Sequence, residues 1–127
     1  MDFYREHILD HYQHPISFGR LPHPTISVFE ANPLCGDEIG IDLEVQNGNV
    51  KNVAFYGSGC AISIASASML MEHIHGKKLT QIKKMTPDEM LKLVGVQLTP
   101  ARVKCALLGF SVLQKCIEQH ETRKEQS

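Results

Sequence analysis

The sequence predicts a mixed α+β fold: an opening helix, an antiparallel sheet of about three strands, and then helices to the end. Three observations predict it. Alternation of Ile, Leu, Val and Phe with polar residues is confined to the stretches 25–30, 40–46 and 50–56. The turn signal Asn47-Gly48 separates the last two, which makes that pair an antiparallel hairpin. Apolar residues at helical spacing flank the strands on both sides.

Taken in order, Tyr4, Ile8, Leu9 and Tyr12 share one side of a short amphipathic helix, which stops near His14 because Pro15 disfavours a helical residue before it. His7, His11 and His14 gather on one side of this helix and read as solvated surface. A Pro- and Gly-containing loop leads into the three strands. Residues 61–75 are Ala, Ser, Ile and Met, apolar on more than one face, which suits a helix packed closely on the sheet through small residues; Gly76 stops it. Thr86, Pro87 and Glu89 are an N-cap, a first-turn proline and a capping-box acid, starting a helix that ends near Gly95. Thr99 and Pro100 repeat the signal for a last helix with Val103, Leu107, Phe110, Leu113 and Ile117 on one face. From about residue 120 the chain is nearly all polar, which predicts a frayed tail.

A length of 127 residues with 43% hydrophobic and 21% charged fits one globular domain, 1–127, and excludes disorder as the main state. Thirteen Lys+Arg against fourteen Asp+Glu leave no positive field to collect phosphates, so nucleic acid is not an expected partner. Asp2, Arg5 and Glu6 interrupt the start where a secretion signal needs an apolar run, and no window reaches the ~18 apolar residues of a spanning helix. A cytoplasmic chain with no membrane partner is expected. In that compartment four Cys are not counted as two disulfides, and metal binding or catalysis becomes the better use for them.

Cys35 lies in the turn-forming stretch Asn32-Pro33-Leu34-Cys35-Gly36-Asp37 just before a strand. Cys60 follows Gly57-Ser58-Gly59 and opens a helix, where unpaired N–H groups and the helix dipole favour a thiolate. Cys105 lies in the early turns of the last helix. Three thiols and the Asp37 carboxylate, each at the end of an element, make a four-coordinate S3O set if the fold brings those ends together. Taken singly, each cysteine reads first as a small buried hydrophobe, and the glycines that bracket Cys35 and Cys60 are what favour a joint site. Cys116 stands eleven residues past Cys105, about three helical turns or roughly 16 Å away, and is assigned to packing.

With these residues placed, the sequence resembles the IscU/SufU/NifU N-terminal family of iron–sulfur cluster assembly proteins over nearly its whole length. The matching words are Ile8-Leu9-Asp10-His11-Tyr12 with His14-Pro15, Asn32-Pro33-Leu34-Cys35-Gly36-Asp37, Gly57-Ser58-Gly59-Cys60-Ala61-Ile62-Ser63 continuing into Ala65-Ser66-Ala67-Ser68-Met69, and Pro100-Ala101-Arg102-Val103-Lys104-Cys105. The resemblance implies a SufE/NifU-like α+β fold with helices on one face of the sheet. In it Cys35, Asp37, Cys60 and Cys105 converge at one exposed end to hold an assembling [2Fe-2S] cluster or Zn²⁺. It also implies two kinds of partner, a cysteine desulfurase that donates sulfur and recipient apo-proteins that take the cluster.

Three departures bear on the branch. Lys104 stands where the IscU branch has His, as in the SufU branch. The segment 79–100 is too short for the insertion of roughly twenty residues usual in SufU-type chains. Leu98-Thr99-Pro100-Ala101-Arg102 replaces the Leu-Pro-Pro-Val-Lys word that IscU-type chains present to a chaperone. Three functions remain open: a scaffold that assembles and donates a cluster, a zinc-dependent sulfurtransferase, and a domain held by structural zinc. The last is disfavoured by Asp37, since closed structural sites use Cys and His. In a sulfur transfer Cys35 is the first expected acceptor, because a Gly-supported loop moves more freely than a helix residue, and Cys105 is the second. Asp37 is the expected exchangeable oxygen ligand, and the charge of Lys104 beside Cys105 is expected to favour its thiolate.

Overall fold

Alternation ends where pairing takes over, and each strand of the computed structural model runs slightly past its sequence pattern. The structure describes residues 3–33 and 36–126. In chain order the elements are α1 (Phe3–Gln13), β1 (Ile26–Ala31), β2 (Glu38–Gln46), β3 (Asn49–Ser58), α2 (Ala61–Ile74), α3 (Leu79–Lys83), α4 (Pro87–Val94) and α5 (Pro100–Gln126). The sheet has the order β1-β2-β3 and is antiparallel throughout. Asn47 and Gly48 both have positive φ, 55° and 76°, the backbone of the two-residue hairpin turn that an Asn-Gly pair favours. From that turn the pairing passes one register shift between Glu44 and Val45 and then runs to Glu38 opposite Ser58, a pair close in sequence to both Asp37 and Cys60.

Ile26 and Val28 of β1, Ile39, Ile41 and Leu43 of β2, and Val53 and Phe55 of β3 are buried on one face. Helices α2 and α5 cover them. Every residue of α2 from Ser63 to Met71 is buried, which the small residues Ala65, Ser66, Ala67 and Ser68 permit by letting neighbouring helices approach. Thr86 Oγ1 accepts the Glu89 N–H at 3.2 Å to start α4, and Gly95, at φ 83°, ends it. The five-residue α3 has no counterpart in the sequence reading, being too short to show a period.

Two expectations are corrected. Helix α5 continues to Gln126 instead of fraying from about 120. Its last turns are tied down by the Arg123 Nη1 bond to the Thr25 carbonyl at 3.0 Å and by the Lys83–Glu121 ion pair at 2.9 Å. The histidines of α1 are not all solvated: His7 and His14 are exposed, but His11 is 4% exposed. Ile8 and His11 lie one turn apart on α1, so covering the apolar residue against α2 covers the imidazole too. Its Nδ1 lies 2.7 Å from Ser68 Oγ, which also accepts the Ile16 N–H at 2.7 Å. Burial first, and then the neighbouring His7, push the His11 pKa down.

On the opposite face of the sheet Asp42 is fully buried. It accepts hydrogen bonds from Arg20 Nε at 2.8 Å, Ser27 Oγ at 2.6 Å and the Leu21 N–H at 3.0 Å. Burial alone would raise its pKa; the bonds from Arg20, Ser27 and Leu21 outweigh it and hold the carboxyl below its ordinary range. That stabilisation is therefore complete above the ordinary carboxylate range and is lost as pH falls through the lowered value. Asp42→Ala, which removes a buried acceptor from Arg20, Ser27 and the Leu21 N–H, should cost about 1–3 kcal/mol in urea unfolding at neutral pH. The gap from wild type should close in acid; a pH-independent gap would contradict the ionised state.

Candidate metal centre

The end of the sheet nearest Ser58 collects the functional side chains. Asp37 directly precedes β2, and its backbone is fixed by the Asn32 N–H bond to the Asp37 carbonyl at 2.7 Å. Cys60 is the N-cap of α2, with extended backbone and no side-chain cap of its own. Asp37 supplies what Cys60 does not: its Oδ1 accepts the Cys60 N–H at 3.1 Å, an external cap on a helix end that favours negative charge. Its Oδ2 accepts from Ser63 Oγ at 2.5 Å and faces Cys60 Sγ at 3.8 Å. Gly59 makes room for this carboxylate, since a Cβ there would lie 2.8 Å from Oδ1.

Cys105 enters from the early turns of α5, buried, with Sγ 3.6 Å from the Ala101 carbonyl. Its approach follows from the packing of α5 against α2. One ligand atom each from Asp37, Cys60 and Cys105 lies within 4.8 Å of the others. Zinc–sulfur bonds of ~2.3 Å would draw such donors to about 3.5–4 Å apart, so a small inward movement closes the set on an ion. Two sulfurs and an oxygen suit a borderline-soft divalent metal.

The two thiols of this cluster differ. Burial raises the Cys60 pKa, but hydrogen bonds from the Ser63 side chain and backbone and from Cys105 outweigh it, and the net shift is downward. Cys105 is pushed up to about 11 by burial, then by Cys60 and Asp37. A single proton is thus kept on Cys105 while Cys60 gives its own up more readily.

Of the residues expected at a site, Asp37, Cys60 and Cys105 come together, and Cys35 lies outside the described residues. Lys104 is exposed on α5; the groups that set the Cys105 pKa are burial, Cys60, Asp37 and Ser63. Cys116 is fully buried in the core, its Sγ 3.9 Å from the Ile41 carbonyl, and burial pushes its pKa to about 12. Sequence reasoning missed Ser63. The available signal was its position, three residues after the cap, where side chains reach back to a helix start.

A family model described as the NifU-like N-terminal domain matches residues 3–127. The zinc-dependent sulfurtransferase SufU of Bacillus subtilis is 35% identical over 135 residues, covering 93% of this chain and 91% of that protein. The iron–sulfur cluster assembly scaffold protein IscU of Thermotoga maritima is 36% identical over 132 residues, covering 91% of this chain and 93% of its own. In fold, the crystal structure of the N-terminal part of a nitrogen-fixing NifU-like protein from Brucella abortus superposes with a TM-score of 0.78 at 24% identity, covering 94% of each chain.

The thiol ordering predicts alkylation rates in chelator-treated protein. Cys60, its pKa lowered, should react with iodoacetamide ahead of Cys105, which is about 1% thiolate two pH units below its pKa of about 11 and should lag by an order of magnitude or more. Peptide mapping by mass spectrometry over a pH series reads this directly. Equal rates for Cys60 and Cys105 would contradict the ordering.

Proposed function

The chain belongs to the family of NifU-like N-terminal domains, and from that premise we propose that it is an iron–sulfur cluster assembly scaffold. It receives sulfur from a cysteine desulfurase, builds a [2Fe-2S] cluster as cargo, and passes it to recipient apo-proteins. The observation that carries this reading is the convergence of Asp37, Cys60 and Cys105 from three separate elements. The fourth proposed ligand is Cys35, two residues before Asp37 in the sequence. We place the activity in the cytoplasm, where thiols stay reduced; no helix of the described residues is long and apolar enough to cross a membrane.

Sulfur enters by exchange. The thiolate of Cys35, or of Cys105 as the second acceptor, attacks the outer sulfur of a persulfide on the desulfurase. A new S–S bond forms on the acceptor, the S–S bond of the desulfurase breaks, and its cysteine leaves as a thiolate. Cys60, at the start of α2 and with its pKa lowered, is an anchoring thiolate for the iron that follows. Asp37 supplies the oxygen donor, a hard ligand among soft sulfurs and the exchangeable member of the set.

Zinc-dependent sulfurtransfer is the second reading, favoured by Lys104 in the position where IscU-branch chains carry His. The same donors fit zinc, which when bound keeps its sulfur ligands deprotonated. Asp37, the one oxygen donor, would then be the ligand to give way to an incoming thiol. The exposed charge of Lys104, next to Cys105 in the chain, would attract an anionic persulfide.

The test supplies a desulfurase, cysteine and a reductant. With ferrous iron, the wild type should develop sulfur-to-iron charge-transfer absorption, and Cys60→Ala and Cys105→Ala should lose most of it while Cys116→Ala keeps it. Absence of that absorption with a partner of verified activity overturns the scaffold reading. Acceleration of sulfide release by the zinc form, without iron, would establish the second.

A further inference from the structure

We propose that Ser63 is a positioning residue for metal and cluster binding: its hydroxyl holds the Asp37 carboxylate in the ligand cluster. The inference rests on the function proposed above and deepens it by adding a residue that acts through a ligand.

Ser63 is 1% exposed and lies one turn into α2. Its Oγ is 2.5 Å from Asp37 Oδ2 and 3.4 Å from Cys60 Sγ. A hydroxyl has one hydrogen to donate, and an ionised carboxylate only accepts. The shorter contact, to Asp37, is therefore the stronger bond, and the 3.4 Å contact to Cys60 Sγ is the longer and weaker of the two. Asp37 Oδ1 meanwhile accepts the Cys60 N–H. One carboxylate oxygen is thus held by the backbone at the start of α2 and the other by a side chain one turn on, so the plane of the carboxylate is tied to the helix.

The other buried serines of α2 show that this contact is particular to position 63. Ser66 Oγ is buried without a hydrogen-bond partner among the described residues, and Ser68 Oγ holds His11 and the Ile16 N–H on the opposite side of the core. Smallness is what those positions need for packing. At position 63 the oxygen itself meets two of the three members of the ligand cluster. Groups that hydrogen-bond a metal's ligands orient them, and losing one costs about 10–100-fold in affinity.

The test uses the full chain and Zn²⁺, with dissociation constants measured by competition against a chromophoric chelator. Ser63→Ala suits a helix and removes only the oxygen, so the fold should persist by circular dichroism. Its zinc affinity should fall about 10-fold or more. In an Asp37→Ala background the same change should cost less than about threefold, because the ligand it positions is gone. The visible band of the Co²⁺ form, which reports ligand geometry, should shift in Ser63→Ala and not in Ser66→Ala. Wild-type affinity in Ser63→Ala overturns the proposal. So does an undiminished loss in the Asp37→Ala background, which would make Ser63 a helix-stabilising residue only. A wild-type chain that binds no zinc and gains no iron–sulfur absorption overturns the proposed function, and this inference with it.

Discussion

A helix with no solvent side has to be covered on every side, and α2, buried without interruption from Ser63 to Met71, imposes that demand on the rest of the chain. Helices α1 and α5 and strand β3 meet it by packing against α2, with a smaller contribution from α4. Bulk would prevent this. The Ala-Ser alternation between Ala65 and Ser68 keeps the helix thin enough for three elements to approach, and Gly109 of α5 sits where a Cβ would touch Ala67 at 3.4 Å. Because α2 is immobilised along its length, its first turn is a fixed point, and Cys60 stands on it.

The ligand cluster is built outward from that fixed point. The β2–β3 register delivers Asp37 beside Gly59, the α2–α5 packing delivers Cys105, and Asp37 ties sheet to helix through the Cys60 N–H and the Ser63 hydroxyl. The same carboxylate that ends a strand and caps a helix is the one oxygen donor of the set. A metal drawing on Asp37 therefore acts on an atom group that also joins two layers of the fold, so occupancy of the site and order at this end of the molecule are physically linked. Keeping two thiols and a carboxylate together also has an electrostatic cost, visible in the upward push on Cys105 by its neighbours. A bound cation relieves it.

Asp42 shows the contrasting use of a buried carboxylate. Four residues further along β2 than Glu38, it is neutralised by Arg20 and bonded to Ser27 and Leu21, which pins the loop after α1 across the open face of the sheet. Arg20 also lies over the Tyr56 ring, 4.1 Å from its centroid. Asp42 on β2 thus holds the loop that shields the sheet, and Asp37, directly ahead of the same strand, holds the site.

Local pattern in the chain was enough to determine the three strands, the Asn47-Gly48 hairpin and the caps at Thr86 and Thr99, because propensity and turn chemistry act over a few residues; the glycines beside Cys35 and Cys60 made those thiols candidates, while Asp37 and Cys105 joined them only as ends of elements that the fold had to bring together. Local pattern was also enough to set Cys116 apart, since its distance along a helix follows from rise per residue alone. What only the tertiary structure decided concerns partners far apart in sequence. His11 is buried because Ile8 beside it must be covered by α2, and Ser68, which meets its ring, is 57 residues away. The end of α5 stays helical because Thr25 and Lys83 hold it, although its own composition is polar. Ser63 becomes part of the site because Asp37, 26 residues earlier, arrives within hydrogen-bonding distance. A serine three residues into a helix has the same local chemistry wherever it occurs; which acceptor it meets depends on strand register and helix packing.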